Sequence, residues 1–147
     1  MKNNHLFIAL LLSFFALSSC TVTPKKIDYG NDHCAFCDMT VVDETHAAQY
    51  VTKKGRSYQF DAIECLVNQL LQDKSENKMA FVLVANYAKP GELVAANAAT
   101  YIITEAIKSP MGANLTAFSS IEMAKKTQSM HSGQIYTWEE LKAKFTK

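Results

Sequence analysis

The chain lacks a concentration of charge of either sign. Acidic and basic residues make up 20% of its 147 residues and leave a formal net charge of +1. They are interspersed, so no basic face indicates nucleic-acid binding and no acidic run indicates a disordered tail. Apolar residues make up 48%, which is enough for a packed core. The length corresponds to one domain, or to two very small subdomains.

The apolar run near the start, residues 6–17, is too short to span a bilayer comfortably. It has the size of a signal-peptide core and ends in Ser18-Ser19-Cys20, as in a bacterial lipobox. We therefore predict a lipoprotein signal peptide over residues 1–19 and lipidation of Cys20. This predicts a lipid-anchored protein on the periplasmic side of the cell envelope. Ordinary secretion with an incidental cysteine is the alternative.

The residues after Cys20 indicate a tether. Thr21, rather than an aspartate, follows Cys20, which favours the outer membrane if the cell is Gram-negative. Residues 21–31 contain a proline and a glycine and show no apolar periodicity. We predict that residues 20–33 comprise the lipidated cysteine and a tether, and that the folded domain occupies residues 34–147.

After the tether, the residue pattern predicts alternating strands and helices. Strands are expected at residues 40–42, 46–52, 57–60, 79–85, 100–104, 115–118 and 134–136, and helices from caps at Asp61, Ser119 and Thr137. Residues 60–65 and 118–123 share the pattern Phe-x-x-Ile-Glu, and each begins a helix after a strand. The sequence therefore predicts an α+β domain with two strand–strand–helix–strand units, at about residues 34–90 and 91–147.

Sulfur side chains are concentrated just after the tether, where Cys34 and Cys37 form a Cys-x-x-Cys pair. The absence of a histidine directly after Cys37 excludes c-type haem attachment. The absence of a second such pair means that a zinc site would need Cys65 and a histidine. A thioredoxin-like pair opens a helix, whereas this pair precedes a predicted strand, which counts against a redox role. A structural disulfide remains an alternative.

Two methionines favour monovalent copper over zinc. Met39 lies two residues after Cys37, so their side chains share a face if the segment is extended. A thioether is a good ligand for Cu(I) and a poor one for zinc. Met111 lies between a proline and a glycine on a predicted turn, which is an unusual place for a core residue. The candidate metal ligands are therefore Cys34, Cys37, Met39 and Met111.

The remaining cysteine has no assigned role. With Cys20 acylated, three thiols are left, and an odd number cannot all pair within the chain. Cys65 lies on a predicted helix, and we interpret it as a small buried apolar residue. His33 and His46 lie near the sulfur-rich segment, and we interpret both as surface residues, with a histidine as the third ligand left as an open alternative.

Several motifs together resemble one known family. They are the lipobox at Cys20, the run Cys-Ala-Phe-Cys-Asp-Met at residues 34–39, Tyr-Gln-Phe-Asp at 58–61, Ser-Pro-Met-Gly at 109–112 and Gly-Gln-Ile-Tyr-Thr-Trp at 133–138. They resemble the NosL family of copper-binding lipoproteins, which are accessory proteins encoded with nitrous oxide reductase. Asp38 departs from the family pattern Cys-x-x-Cys-Gly-Met, because it stands where that pattern has glycine.

The resemblance implies a periplasmic metallochaperone, not an enzyme, that binds Cu(I) and delivers it for maturation of nitrous oxide reductase. The implied partners are that reductase and its associated membrane transporter. It also implies two related ββαβ units packed together, a topology shared with organomercury lyase. Cys37 and Met39 are the firmest implied ligands, followed by Cys34, with Met111 as a handover contact. The alternative is a membrane-tethered thiol–disulfide oxidoreductase that uses Cys34 and Cys37.

Overall fold

A computed structural model describes residues 21–146. The predicted signal peptide and Cys20 lie outside these residues. Within the described part, no helix has the length and apolar character needed to cross a bilayer.

The first half of the domain is a four-stranded antiparallel sheet with one helix. Its elements are β1 (Ala48–Thr52), β2 (Ser57–Phe60), α1 (Ile63–Asp73), β3 (Met79–Ala85) and β4 (Leu93–Ala95), with a short 3₁₀ helix at Glu76–Lys78. The strands lie in the order β2-β1-β3-β4. The β1–β2 hairpin turns at Gly55, whose φ of +84° falls in the region that favours glycine.

The second half is a three-stranded antiparallel sheet with two helices. Its elements are β5 (Thr100–Ile103), β6 (Leu115–Phe118), α2 (Ile121–His131), β7 (Gln134–Tyr136) and α3 (Trp138–Phe145), preceded by a 3₁₀ helix at Ala96–Ala98. The strands lie in the order β6-β5-β7. At the start of α3, Thr137 and Glu140 form the predicted capping box.

The two halves share one topology. In each, the first strand is central and pairs antiparallel with the second and third strands, as β1 does with β2 and β3 and β5 does with β6 and β7. The N-caps of α1 and α2 also match, with φ and ψ of −143° and 152° at Ala62 and −142° and 150° at Ser120. The prediction of an α+β fold with two related ββαβ units is confirmed.

One hydrophobic cluster joins the two halves. It contains the fully buried side chains of Phe60, Ile63, Leu66, Tyr101, Leu115 and Leu141. Burying each large apolar side chain stabilises the fold by about 1.5–3 kcal/mol. Cys34 and Cys65 belong to the same cluster, so these two thiols are part of the interior that holds the halves together.

Three local predictions were wrong. Residues 40–42 form no strand beyond an isolated bridge between His33 and Thr40. Asp61 does not cap α1, because the helix begins one residue later than predicted and its N-cap, Ala62, has no side chain that can accept a hydrogen bond. α2 is also shifted by one residue, and its cap is Ser120, whose hydroxyl accepts from the Met123 backbone NH.

The folded domain begins earlier than the predicted boundary at residue 34. Ile27 is buried and packs with Val41 and Ala47. The side-chain amide of Gln49 donates to the carbonyl of Lys25 at 2.7 Å. The segment from Lys25 onward therefore packs on the domain, which the tether prediction for residues 20–33 missed because a single buried isoleucine carries no periodicity.

Candidate metal centre

The sulfur loop, residues 34–39, is closed by its own backbone. The NH of Cys34 donates to the carbonyl of Met39 at 2.8 Å, and the NH of Asp38 donates to the carbonyl of Cys34 at 2.9 Å. The NH of Ala35 donates to the carbonyl of Gln59 at 2.8 Å, which ties the loop to β2. These bonds hold the loop beside the start of α1, which follows β2 directly.

Asp38 occupies a left-handed backbone conformation, with φ of +64°. Glycine adopts this conformation without strain, and aspartate is among the few other residues that tolerate it. The departure at Asp38 from the family's glycine is therefore compatible with the same loop.

Four potential donors meet at this point of the fold. The thiols of Cys34, Cys37 and Cys65 and a carboxylate oxygen of Asp61 all lie within 4.8 Å of one another. Cys37 is partly buried, whereas the other three are at most 3% exposed. All three cysteines are free thiols. We call this group the cysteine cluster.

Asp61 and Cys65 are the members that sequence reasoning did not assign to the site. Asp61 accepts a hydrogen bond from the Cys37 thiol, with Sγ and Oδ1 3.4 Å apart. Its other oxygen, Oδ2, is buried and has no hydrogen-bond partner among the described residues. A buried unsatisfied carboxylate oxygen is costly, so the site has an unmet requirement for a proton or a cation. In the sequence, the only signal that these two residues act together was their separation of four positions at the start of a predicted helix.

The three thiols differ in acidity. A hydrogen bond with Cys65 is the main reason that the pKa of Cys34 falls to about 6. The same hydrogen bond raises the pKa of Cys65. Burial is the main reason that the pKa of Cys37 rises to about 11. Cys34 is therefore the thiol that ionises first.

Titration of the reduced apoprotein should show one thiolate forming near pH 6. Because the pKa of Cys34 is lowered to about 6 in the folded state, its thiolate is present above that pH and is protonated as the pH falls through it. The ultraviolet absorbance of the thiolate measures this step. Cys34→Ser should remove it, and Cys65→Ala should move it upward by removing the hydrogen bond. An apoprotein with no ionisation until about pH 8.5, the ordinary range of a thiol, would contradict the assignment.

Met39 and Met111 are both exposed, in contrast to the buried thiols. Met39 ends the sulfur loop and is 53% exposed. Met111 is 43% exposed and lies in the predicted turn at residues 109–112, where the Gly112 NH donates to the Ser109 carbonyl at 3.0 Å. We call residues 109–112 the methionine turn. Both thioethers are accessible to an approaching molecule.

Glu64 connects the methionine turn to α1. The Ser109 hydroxyl donates to Oε1 of Glu64, and the Ala113 NH donates to the same oxygen at 3.3 Å. Glu64 directly precedes Cys65 in the first turn of α1. The turn that carries Met111 is thus fastened to the same helical turn that carries Cys65.

The two histidines that lie near the sulfur loop in the sequence are not members of the cysteine cluster. Nδ1 of His33 lies 3.1 Å from the carbonyl oxygen of Asp38. His46 is buried, and its Nδ1 lies 2.8 Å from Oδ2 of Asp43. Neither histidine belongs to the cysteine cluster, so sulfur dominates the donor set.

The fold and the cysteine cluster define an α+β domain of two ββαβ units with a sulfur-rich candidate metal centre. The NosL family model matches residues 24–146. The chain belongs to the NosL family.

Two relatives show how far this likeness extends. The chain is 26% identical over 120 residues to the copper-binding lipoprotein NosL of Stutzerimonas stutzeri, a match that covers 77% of this chain and 63% of that protein. The chain thus aligns with somewhat under two thirds of that relative's length. The crystal structure of the copper chaperone NosL from Shewanella denitrificans superposes with a TM-score of 0.71 at 19% identity, covering 82% of this chain and 96% of that one. At this identity the superposition establishes the fold alone.

Proposed function

We propose that this protein binds Cu(I) through Cys34, Cys37 and Met39 and passes it on as a metallochaperone. The observation that carries the proposal is the convergence of three free thiols within 4.8 Å, next to the loop that ends in Met39. The names of both relatives, a copper-binding lipoprotein and a copper chaperone, support it.

The donor set suits a soft monovalent ion. Thiolates and thioethers select Cu(I) among the metals that proteins commonly handle. The cluster lies at the N-terminal end of α1, where the helix dipole favours the negative charge of thiolates. The unpartnered Oδ2 of Asp61 adds negative potential that favours a cation.

The exposure of the candidate ligands increases from the cysteines to the methionines, which suits the transfer of an ion to another molecule. Cys34 is buried, Cys37 is partly buried, and Met39 and Met111 are exposed. Ligands of an acceptor can therefore reach either thioether without unfolding the loop. Met111 would act as a contact used in handover, carried by a turn that Glu64 holds in place.

The proposed destination of the copper follows from the family. We propose nitrous oxide reductase as the acceptor and its associated membrane transporter as a second partner. In this proposal Cys20 is lipidated and holds the domain on the periplasmic side of the cell envelope, at the outer membrane if the cell is Gram-negative. The support is the lipobox and the family's association with that reductase.

The geometry favours metal binding over thiol–disulfide exchange. An exchange protein needs an accessible thiol with a lowered pKa. Here Cys34 has the lowered pKa but is 3% exposed, and the pKa of the more accessible Cys37 is raised. Accessibility and a lowered pKa, which thiol–disulfide exchange requires in one residue, are therefore divided between Cys37 and Cys34.

Competition with a Cu(I) chelator tests the proposal. The reduced protein without its first 20 residues should remove one equivalent of Cu(I) from a chelator of known affinity, and X-ray absorption of the product should show sulfur donors. The variant Cys34→Ser/Cys37→Ser, checked for folding by its circular dichroism, should lose the binding. A reduced, folded protein that leaves the copper on the chelator would overturn the proposal.

A further inference from the structure

We propose that Cys65 is a Cu(I) ligand and that the ligands divide into two positions, an interior one formed by Cys34, Cys37 and Cys65 and an exposed one formed by Cys37 and Met39. The inference rests on the proposed function, because it concerns the same ion. It changes the assignment of Cys65 from a packing residue to a donor.

The distances satisfy the requirement for one ion among three sulfurs. With metal–sulfur bonds of about 2.3 Å, three sulfurs around a single ion lie roughly 4 Å apart. The thiols of Cys34, Cys37 and Cys65 lie within 4.8 Å of one another. Small side-chain rotations are therefore enough to bring all three onto one ion. Each thiol that binds releases its proton to solvent.

Burial separates this position from the methionines. Cys34 and Cys65 are 3% and 1% exposed, whereas Met39 is 53% exposed. Two thiols of the interior position are thus withheld from solvent, and Cys37 is the cysteine shared with the exposed position. An ion held inside is shielded from competing thiols, and the exchange of Cys34 and Cys65 for Met39 at Cys37 brings it to the surface.

The repeat offers an internal comparison for Cys65. The residue at the corresponding place in α2 is Met123, which is 37% exposed. Cys65 instead faces two other thiols and a carboxylate, Asp61, whose Oδ2 has no partner among the described residues. Cys65 therefore has potential co-ligands beside its thiol, which its packing in the core does not require.

Substitution of Cys65 provides the first test. Cys65→Ala keeps a small apolar side chain at the site but should weaken Cu(I) binding about tenfold or more, since the loss of a residue that only orients a ligand already costs about 10–100-fold at metal sites. Met123→Ala, the matched change in α2, should leave the affinity unaltered.

A second variant keeps the test decisive even if Cys65→Ala does not fold. The variant Met39→Leu/Met111→Leu retains all cysteines and removes both candidate thioether ligands. Any sulfur bound to Cu(I) at the cysteine cluster then belongs to a cysteine. X-ray absorption should then count three sulfurs around Cu(I). A count of two, or an unchanged affinity in Cys65→Ala, would overturn this inference while leaving Cu(I) binding intact. A wild-type protein without Cu(I) affinity would instead overturn the proposed function.

Discussion

Replacing Cys37 with serine should weaken Cu(I) binding by about 1,000-fold, which corresponds to about 4 kcal/mol. In the proposed ligand sets Cys37 is the thiol shared by the interior position and the exposed position, so we expect its loss to affect both. A serine hydroxyl remains protonated near neutral pH and is a hard donor, whereas the metal requires a soft thiolate. The measurement is competition against a Cu(I) chelator under reducing conditions, compared with the wild-type protein.

The fold should tolerate this change. Cys37 is partly buried, and serine differs from it by one atom and can still donate to Oδ1 of Asp61. The midpoint of urea unfolding should therefore move little. A loss of Cu(I) affinity then results from the loss of the Cys37 sulfur and not from unfolding. Met130→Leu, at an exposed methionine outside the proposed ligand set, is the control, and its affinity should stay at the wild-type value. A Cys37→Ser protein that binds within tenfold of wild type would show that Cys37 is not the shared ligand.

The regular elements were largely predictable from local pattern. Strands β1, β2, β3, β5, β6 and β7 and the helices α1, α2 and α3 lie close to their predicted positions, because hydrophobic periods and short apolar runs are local properties. The cap of α1 was not predictable, because Asp61 matches a capping box but is used elsewhere. Its carboxylate accepts from Cys37, 24 residues away, and no local pattern reports such a contact.

The candidate site was predictable only in part, because local pattern reports residues that are neighbours in the chain and not those that the fold brings together. Cys34, Cys37 and Met39 could be proposed together because they are neighbours in the chain. Cys65 joins them only because the sulfur loop is tied to Gln59 at the end of β2 and α1 begins a few residues later. That closeness is a property of the tertiary structure. A buried cysteine on an amphipathic helix looks the same from its sequence whether or not other thiols face it.

Removal of the Glu64 side chain should destabilise the protein by about 2 kcal/mol, because buried donors left without partners cost about 1–3 kcal/mol and the change also opens a cavity. The loss of Oε2, which is buried and has no partner among the described residues, offsets part of this cost. Oε1 of Glu64 accepts from the Ser109 hydroxyl and the Ala113 NH, and both contacts are lost in Glu64→Ala. Urea unfolding measures the loss. Glu64→Gln retains an acceptor oxygen at this place, so it should cost less.

The repeat supplies the control for this prediction. Glu122 occupies the corresponding position in α2 but is exposed, so Glu122→Ala should change the unfolding midpoint little. Glu64→Ala should also slow the transfer of Cu(I) to an acceptor chelator, because the methionine turn is no longer fastened beside α1, while equilibrium binding by the thiols is largely kept. Equal destabilisation by the two alanine variants would show that the contact between Glu64 and the methionine turn adds nothing to the fold. If the rate of Cu(I) transfer is unchanged in Glu64→Ala, then the position of Met111 has no role in handover.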